Sequence, residues 1–344
     1  MKNRLPIYLI SGLVLLVILS VISMYLGVYT FSQSVFDTIL GVFSQDSGIS
    51  PTDRYVFMEV RLPRIVMAVL IGSALAVSGT CMQGMFKNPL ATPDLIGITA
   101  GATLMAAITI VLRTLFFHFI PQYLHFFVLS IAAFIGALLT MALVYRISTE
   151  SGKTNVIIML LAGVAISALA FSITGFLIYL SNDEQLRDLT FWSLGSLGGA
   201  TWIKNAILTL LIGVSYFFLI NKGKALNAMM LGEKDAEHLG IPIETIKKQI
   251  VVFVALMVGA SVAFSGTIGF IGLIVPYILR LLFKSNYHYI LPLSAVSGGI
   301  LLLVADTVSR TVVAPSEIPL GILTAFMGAP IFIIILMRYR KSML

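Results

Sequence analysis

The residues ESGKTN at 150–155 end like a loop that holds the phosphates of a nucleotide. The complete phosphate-binding pattern requires a glycine five positions before Gly152, with a strand before the loop and a helix after it. Ile147 stands at that glycine position, and the segment joins two apolar stretches. The sequence therefore predicts that this chain binds no nucleotide and that ATP, if it drives the protein, is hydrolysed by another chain.

A second set of potential ligands lies in FFHFIPQYLHFF, where His118, Tyr123 and His125 fall close together. Imidazole and phenolate groups both coordinate iron, so these side chains could contact iron or haem transiently. Aromatic and histidine side chains here are more typical of membrane-interface anchors. The chain has no HExxH motif, paired carboxylates or nucleophile–base set. We therefore predict no catalytic residue, no metal site, no bound cofactor and no enzyme.

The amino-acid composition indicates what kind of structural element must hold these candidate ligands in place. Of 344 residues, 58% are hydrophobic and only 11% are charged, against about 25% charged in a soluble domain. Lipid must therefore surround much of the surface. The single cysteine, Cys81, lies in an apolar run, which excludes an intrachain disulfide and a cysteine metal cluster. The apolar start at 5–29 is too long for a signal peptide and is predicted to be an uncleaved membrane helix.

Ten apolar stretches approach the length of about 20 residues that a spanning helix needs. They are roughly 5–29, 61–86, 94–112, 124–147, 155–181, 201–220, 248–268, 270–284, 288–313 and 317–337. The eighth is short, so we expect it to be tilted, broken or partly inserted. No linker divides the chain, and we predict one all-α, polytopic membrane domain over 1–344.

The positive charges give an orientation. With a cytoplasmic N-terminus, ten spans place 15 of the 22 lysines and arginines inside and seven outside. Cytoplasmic loops are enriched in these residues. We therefore expect both termini to be cytoplasmic.

The tripeptide SGT occurs twice in similar settings, at 72–89 and at 259–276, and an offset of 187 residues aligns the two copies. The copies lie five spans apart, so they would cross the membrane in opposite directions, as the inverted repeats of transporters do. We predict an inverted repeat of about 61–181 and 248–337, although two helices rich in small residues could also look alike by composition. Four hydroxyl residues on these helices are candidate pathway residues: Ser78, Thr80, Ser265 and Thr267.

The polar segment 223–247 is predicted to contain two short helices that stop at Gly232 and Gly240. A helical loop with an apolar face at the cytoplasmic surface resembles a docking element for another protein. The alternative is an amphipathic loop that lies on lipid. The candidate docking residues are Leu231, Gly232, Glu233, Ala236, Leu239 and Gly240.

A sharp return into the membrane is expected at NPLATPDLIG, residues 88–97. Thr92 can cap the following helix, Pro93 suits its first position, and Asp94 is favourable in its first turn. This structural interpretation accounts for the segment.

Several segments together resemble the FecCD-type permeases of bacterial ABC importers for iron chelates, haem and cobalamin. They run in the family's order from about residue 55 to the C-terminus, and five carry the resemblance: RLPRIVMAVLIGSALAVSGTCMQGMFKNPLATPDLIGITAGA, LTFWSLGSLGGATW, LGEKDAEHLGI, SGTIGFIGLIVPYILRLL and LLLVADTVSRTVVAPSEIPLGILTAFMGAPIFIIIL. Tyr277 departs from the histidine of many members.

The resemblance implies the fold of a type II ABC importer permease, in the cytoplasmic (inner) membrane of a bacterium. It implies a homodimer in membrane lipid, two cytoplasmic ATPase subunits that use the ATP and an external substrate-binding protein, with no nucleic acid partner. Residues 182–202 look most like the haem permeases. Haem is therefore ranked first as the cargo, ferric siderophores next and cobalamin third.

Arg61, Arg64 and Arg310 lie at the outer ends of predicted spans, where positive charge is otherwise sparse. The cobalamin-type permeases use arginines at matching positions to grip acidic residues of their binding protein, so the resemblance implies a docking role for these three. The alternative is that they only anchor helix ends by snorkelling.

Two other classes remain to be compared with an importer permease. An ion-coupled secondary transporter also uses inverted repeats, but it often places charged residues inside the membrane. The predicted spans are nearly free of charge, with Asp306 and Arg310 at the end of the ninth. A membrane-embedded enzyme would need a polar constellation that the sequence lacks.

Overall fold

A computed structural model describes residues 4–32, 37, 50–113, 121 and 125–343, with only the backbone described at 125 and 338–343. The α-helices of this part of the chain are α1 (Leu5–Tyr25), α2 (Pro51–Tyr55), α3 (Leu62–Met85), α4 (Ile98–Val111), α5 (His125–Ser148), α6 (Val156–Leu180), α7 (Asp183–Leu194), α8 (Trp202–Leu219), α9 (Gly223–Leu231), α10 (Glu233–His238), α11 (Ile243–Ser265), α12 (Ile271–Phe283), α13 (Tyr287–Ser309) and α14 (Leu320–Met343). Two short strands, β1 (Thr149–Glu150) and β2 (Lys153–Thr154), pair antiparallel.

The predicted spans are confirmed by helices of matching position. Within the described residues, eight helical segments are long and apolar enough to cross a membrane, and α4 and α12 are shorter apolar helices. The second span begins earlier than predicted, at Pro51, because α2 continues through a π-helical turn at Val56–Arg61 into α3. The eighth span, α12, has 13 residues, in agreement with the short stretch in the sequence.

Helix α3 lies at the centre of the bundle, where small residues let neighbouring backbones approach closely. A Cβ atom at Gly72 would lie 2.2 Å from the carbonyl oxygen of Gly298 on α13. A Cβ atom at Gly79 would lie 1.9 Å from the carbonyl oxygen of Gly272 on α12. A side chain at either position would therefore force two backbones apart.

The two SGT copies fold differently. The first lies within the continuous helix α3, whereas Ser265 ends α11 and Gly266 leaves the helix with φ 69° and ψ −163°. Contacts with the chain after α7 cause this ending. The amide of Ser196 donates to the Ser265 carbonyl at 2.8 Å, and a Cβ at Gly266 would lie 2.1 Å from the Trp192 carbonyl oxygen. The offset of 187 residues thus aligns positions that are not structurally equivalent. The inverted repeat stays a prediction.

The return at residues 88–97 also differs in detail from its prediction. Pro93 does take the first position of a helix, but it is a short 3₁₀ helix, Pro93–Ile96, and the Thr92 side chain makes no capping bond. Gly97, with φ 83°, separates this turn from α4. Close packing explains the interruption, because a Cβ at Gly163 of α6 would lie 2.4 Å from the carbonyl oxygen of Leu95.

Candidate functional site

The segment 223–247 forms the two predicted short helices, α9 and α10. Gly232 separates them with φ 146°, and Gly240 follows α10 with φ 80°, so both predicted stops are confirmed. Ala236 packs inward and is fully buried, whereas Leu231 is 71% exposed and Leu239 is 65% exposed. Residues 223–240, here called the α9–α10 element, therefore present large apolar side chains on their outer surface, of which Leu231 and Leu239 are the most exposed.

Lys247 holds the α9–α10 element against the rest of the chain. Its ammonium group is buried and donates to Glu233 at 2.8 Å, to Glu244 at 3.1 Å and to the carbonyl oxygen of Thr154 at 2.9 Å. Glu244 also accepts from the amide of Thr154 at 2.8 Å. One lysine thus joins α10, α11 and the β1–β2 hairpin. The sequence showed only the Glu244–Lys247 spacing of a helical pair, and nothing in it linked Lys247 to Glu233 or Thr154.

The ESGKTN segment folds as the β1–β2 hairpin. Ser151 (φ 51°) and Gly152 (φ 76°) form its two-residue turn, and the register pairs Glu150 with Lys153. Both central residues have positive φ, as in the type I′ turns that favour such hairpins. A phosphate loop instead connects a strand to the start of a helix.

We expect the purified chain alone to hydrolyse no ATP, since its lysine lies on a hairpin strand and not in a phosphate-binding loop. Lys153→Ala should leave the ATPase rate of the assembled transporter unchanged within error. Phosphate release from the single purified polypeptide, abolished by Lys153→Ala, would contradict this expectation.

Arg61 and Arg310 both bind the C-terminal end of α1 and the residues that follow it. Arg61 donates to the carbonyl oxygens of Met24 and Tyr29, and Arg310 donates to those of Ser23 and Leu26. The last carbonyls of a helix lack partners within it, and the helix dipole is negative at this end. Both guanidinium groups are largely buried. These two arginines therefore fasten α1 to α3 and α13.

Arg64 forms the centre of an ion-pair network at the same end of the bundle. It donates to Asp306 on α13 at 2.9 Å and to Glu317, between α13 and α14, at 2.7 Å. Asp306 is completely buried, and the Glu317 side chain is 42% exposed. The hydrogen bond from Arg64 holds the pKa of Glu317 below its usual value, so Glu317 is ionised at neutral pH. All three predicted docking arginines thus lie close together, engaged by groups of their own chain.

The four candidate pathway hydroxyls make hydrogen bonds inside the chain. Thr80 contacts Ser294 at 2.7 Å, Ser265 donates to the Ser261 carbonyl at 2.8 Å, and Thr267 donates to the Ser193 carbonyl. Ser78 is fully buried beside Met257. Their role beside a pathway stays a prediction.

The possible iron ligands fall outside what the structure describes. His118 and Tyr123 lie beyond the described residues, and only the backbone of His125 is described, at the start of α5. Among the described residues, no group of three or more histidine, cysteine, aspartate or glutamate side chains could hold a metal ion.

Comparisons with known proteins place this geometry in a family. Residues 15–338 match the FecCD transport family. The chain is 38% identical to the hemin transport system permease protein HmuU of Yersinia pestis, covering 99% of each protein. It is 36% identical to the vitamin B12 import system permease protein BtuC of Vibrio vulnificus, covering 94% of this chain and 93% of that one.

A solved structure described as a metal-chelate type ABC transporter, in an inward-facing conformation, matches with a TM-score of 0.83 and 31% identity. The match covers 97% of this chain and 99% of that one. These similarities confirm the predicted architecture and assign a transport permease rather than an enzyme. The chain belongs to the FecCD transport family.

Proposed function

We propose that this chain is the permease subunit of an ATP-driven importer that moves a metal chelate across the cytoplasmic membrane of a bacterium. The family match, the hemin and vitamin B12 permeases among the relatives and the metal-chelate transporter among the solved structures support this function. Haem is the first candidate cargo, because the hemin permease is 38% identical over the whole chain. Ferric siderophores come next and cobalamin third.

The proposed assembly is a homodimer with two ATPase subunits on the cytoplasmic side and a binding protein on the other. The chain itself holds no cofactor, and ATP is used by the partner. The positive-inside distribution supports a cytoplasmic position for both termini and for the α9–α10 element.

The exposed leucines of the α9–α10 element are the main support for an ATPase docking site. Leu231 and Leu239 stand out from a short, charged element, while Lys247 fixes that element to α11 and to the hairpin. Apolar side chains that project from a rigid support are suited to filling pockets on a protein partner. A loop that merely rested on lipid would not need the buried lysine contacts.

Leu231→Ser combined with Leu239→Ser should reduce co-purification of the ATPase at least about tenfold, because each exposed leucine would lose about 1.5 kcal/mol or more of burial at the interface. Gly232→Pro should have the same effect, since proline cannot adopt a φ of 146°. Pull-down of a tagged ATPase from detergent extracts measures the change. Leu210→Ser is the matched control, because Leu210 on α8 is also 65% exposed. Normal complex formation by both α9–α10 variants would refute the docking site.

At the opposite end, we propose that Arg64 contributes to docking of the binding protein while Arg61 and Arg310 hold α1 in place. Arg64 faces Glu317, which is partly exposed, and a carboxylate of the partner could compete for the same guanidinium. The buried bonds of Arg61 and Arg310 support an indirect contribution from these two.

The proposed pathway runs beside α3, which carries Ser78 and Thr80, and beside the end of α11, where Ser265 is the last helical residue and Thr267 follows in the break. An ion-coupled transporter is the less supported alternative. Among the described residues, the charges at the ends of α3 and α13 are paired in one network, in which Arg64 contacts Asp306 and Glu317 and Arg310 contacts Asp306. Transport in vesicles with an ion gradient and no ATPase would favour that alternative, whereas strict dependence on the ATPase supports an importer.

A further inference from the structure

An open cavity lies at the end of the helical bundle where the α9–α10 element is attached. Its volume is about 220 Å³, more than the roughly 150 Å³ of an apolar protein cavity that admits benzene. The wall comes from the C-terminal ends of α3 and α12, from the residues that follow them, from α9 and from the start of α13. The described residues of this wall include Gln83, Lys87, Met230, Tyr277, Arg280 and Leu281.

Two cations, Lys87 and Arg280, line the cavity, and the described residues of its wall include no aspartate or glutamate. Arg280 donates to the side-chain oxygen of Gln83 and to the carbonyl oxygen of Pro89. Gln83 is itself fixed, because its amide donates to the Gly272 carbonyl oxygen at 3.3 Å. These acceptors are neutral, so they orient the guanidinium group without cancelling its charge. The cavity therefore favours an anion.

Neighbouring residues indicate the level of the cavity in the membrane. Tyr8, in the first turn of α1, contacts Phe283, the last residue of α12, with ring centroids 5.0 Å apart. The N-terminal end of α1 and the cavity are therefore at the same end of the bundle. Arg4 and Lys284, both exposed, add positive charge at this end. Such an accumulation of positive charge is typical of the cytoplasmic surface of a membrane, which is the position proposed for this end.

Exposed apolar side chains of α12 adjoin the cavity. Leu281 belongs to its wall and is 57% exposed, and Ile278 and Leu282 on the same helix are 43% and 67% exposed. A ligand can therefore place an anionic group on Lys87 and Arg280 and an apolar chain along α12. A phospholipid has both parts, whereas inorganic phosphate or a carboxylate of a protein partner has only the first. Basic pockets between membrane helices on the cytoplasmic side bind anionic head groups.

We infer that this cavity binds the phosphate group of an anionic membrane lipid. Arg280 presents a planar set of N–H donors to the phosphate oxygens, and Lys87 adds a compact positive charge. Tyr277, in the same wall, supplies a hydroxyl donor. Met230 of α9 also lines the cavity, so the lipid contacts the element that is proposed to dock the ATPase. The inference goes beyond the proposed function and depends only on the cytoplasmic position proposed for this end.

Native mass spectrometry of the permease–ATPase complex, titrated with phosphatidylglycerol or with phosphatidylcholine, tests the inference. Lys87→Gln should lower the affinity for phosphatidylglycerol about fivefold, the effect of one basic residue near a membrane surface. Arg280→Gln should lower it at least about tenfold, because charge-assisted hydrogen bonds are lost. Lys87→Gln spares the bonds of Arg280, so it decides the question even if Arg280→Gln folds poorly. Binding of phosphatidylcholine, which has no net charge, should be equally weak in every variant.

Lys284→Gln is the matched control. Lys284 is an exposed cation at the same end of the bundle, but it lies outside the described wall of the cavity. Its substitution removes the same charge and should leave the affinity for phosphatidylglycerol unchanged within error. An equal loss of affinity in Lys284→Gln and Lys87→Gln would show only non-specific attraction to the surface and would overturn the inference.

Two further measurements on the same variants identify the source of the anion. Equilibrium dialysis measures the binding of inorganic phosphate, and pull-down measures ATPase association. If Lys87→Gln loses phosphate binding but keeps its affinity for phosphatidylglycerol, the cavity takes free phosphate and the inference is wrong. Weaker ATPase association with unchanged lipid affinity would instead assign the cavity to a carboxylate of the ATPase, and would also overturn it. None of these results decides whether the chain is an importer, which ATPase-dependent transport tests separately.

Discussion

Lys247→Met should detach the α9–α10 element from the body of the permease and abolish transport. The substitution keeps the length of the side chain but removes the three hydrogen bonds to Glu233, Glu244 and the Thr154 carbonyl. Two carboxylates would then face each other without their shared cation. The loss should be about 2–3 kcal/mol of local stability, below the value for a fully buried pair because each carboxylate is about one-third exposed.

Proteolysis and hydrogen exchange measure this effect directly. Amides of α9 and α10 should exchange markedly faster in Lys247→Met, while those of α3 and α13 stay protected. Lys248→Met is the matched control, because the neighbouring lysine is exposed and should tolerate the change. ATPase co-purification should fall in the first variant alone. Unchanged exchange in α9 and α10 would show that packing of Ala236, not the lysine, holds the element.

The fold could be predicted from the sequence because its determinants are local. Apolar runs of spanning length predicted the membrane helices. Gly232 and Gly240 predicted the ends of the two short helices, and both glycines have positive φ in the structure. The helix break at Gly266 was missed, since it depends on contact with Trp192 and Ser196, about 70 residues away. Composition cannot distinguish a small residue within a helix, such as Gly79, from one that ends it.

The sites were predictable only where one segment contains the whole feature. The α9–α10 element is continuous in sequence, so its exposed leucines could be inferred. Lys247, in contrast, acts through residues 14 and 93 positions away, which no local pattern could indicate. At the opposite end of the helical bundle, contacts between residues distant in sequence were again not predictable. The arginines expected to meet a partner protein bind carbonyls and carboxylates that tertiary folding brings to them, and their docking role stays a prediction.

Arg64→Gln should strongly destabilise the permease, whereas Glu317→Gln should leave its stability almost unchanged. Without Arg64, the one cation among the described residues that pairs with the buried carboxylate of Asp306 is Arg310, at 3.7 Å. Breaking a buried ion pair in this way costs about 3–5 kcal/mol. Glu317 is partly exposed, so its loss should cost no more than about 1 kcal/mol. Thermal unfolding of the purified variants checks this order, and equal unfolding midpoints for Arg64→Gln and wild type would contradict it.

The Arg64–Glu317 pair also allows a test of whether Arg64 docks the binding protein or only anchors its own chain. Glu317 would compete with any carboxylate of the binding protein for Arg64. If Arg64 docks that partner, Glu317→Gln should raise the association rate several-fold at low ionic strength, since it removes a negative charge from the contact surface. The gain should disappear in high salt, where the Debye length falls to a few ångströms. Stopped-flow or surface-plasmon measurements at both salt concentrations give the answer. An association rate that Glu317→Gln leaves unchanged at low salt would mean that Arg64, like Arg61 and Arg310, serves its own chain alone.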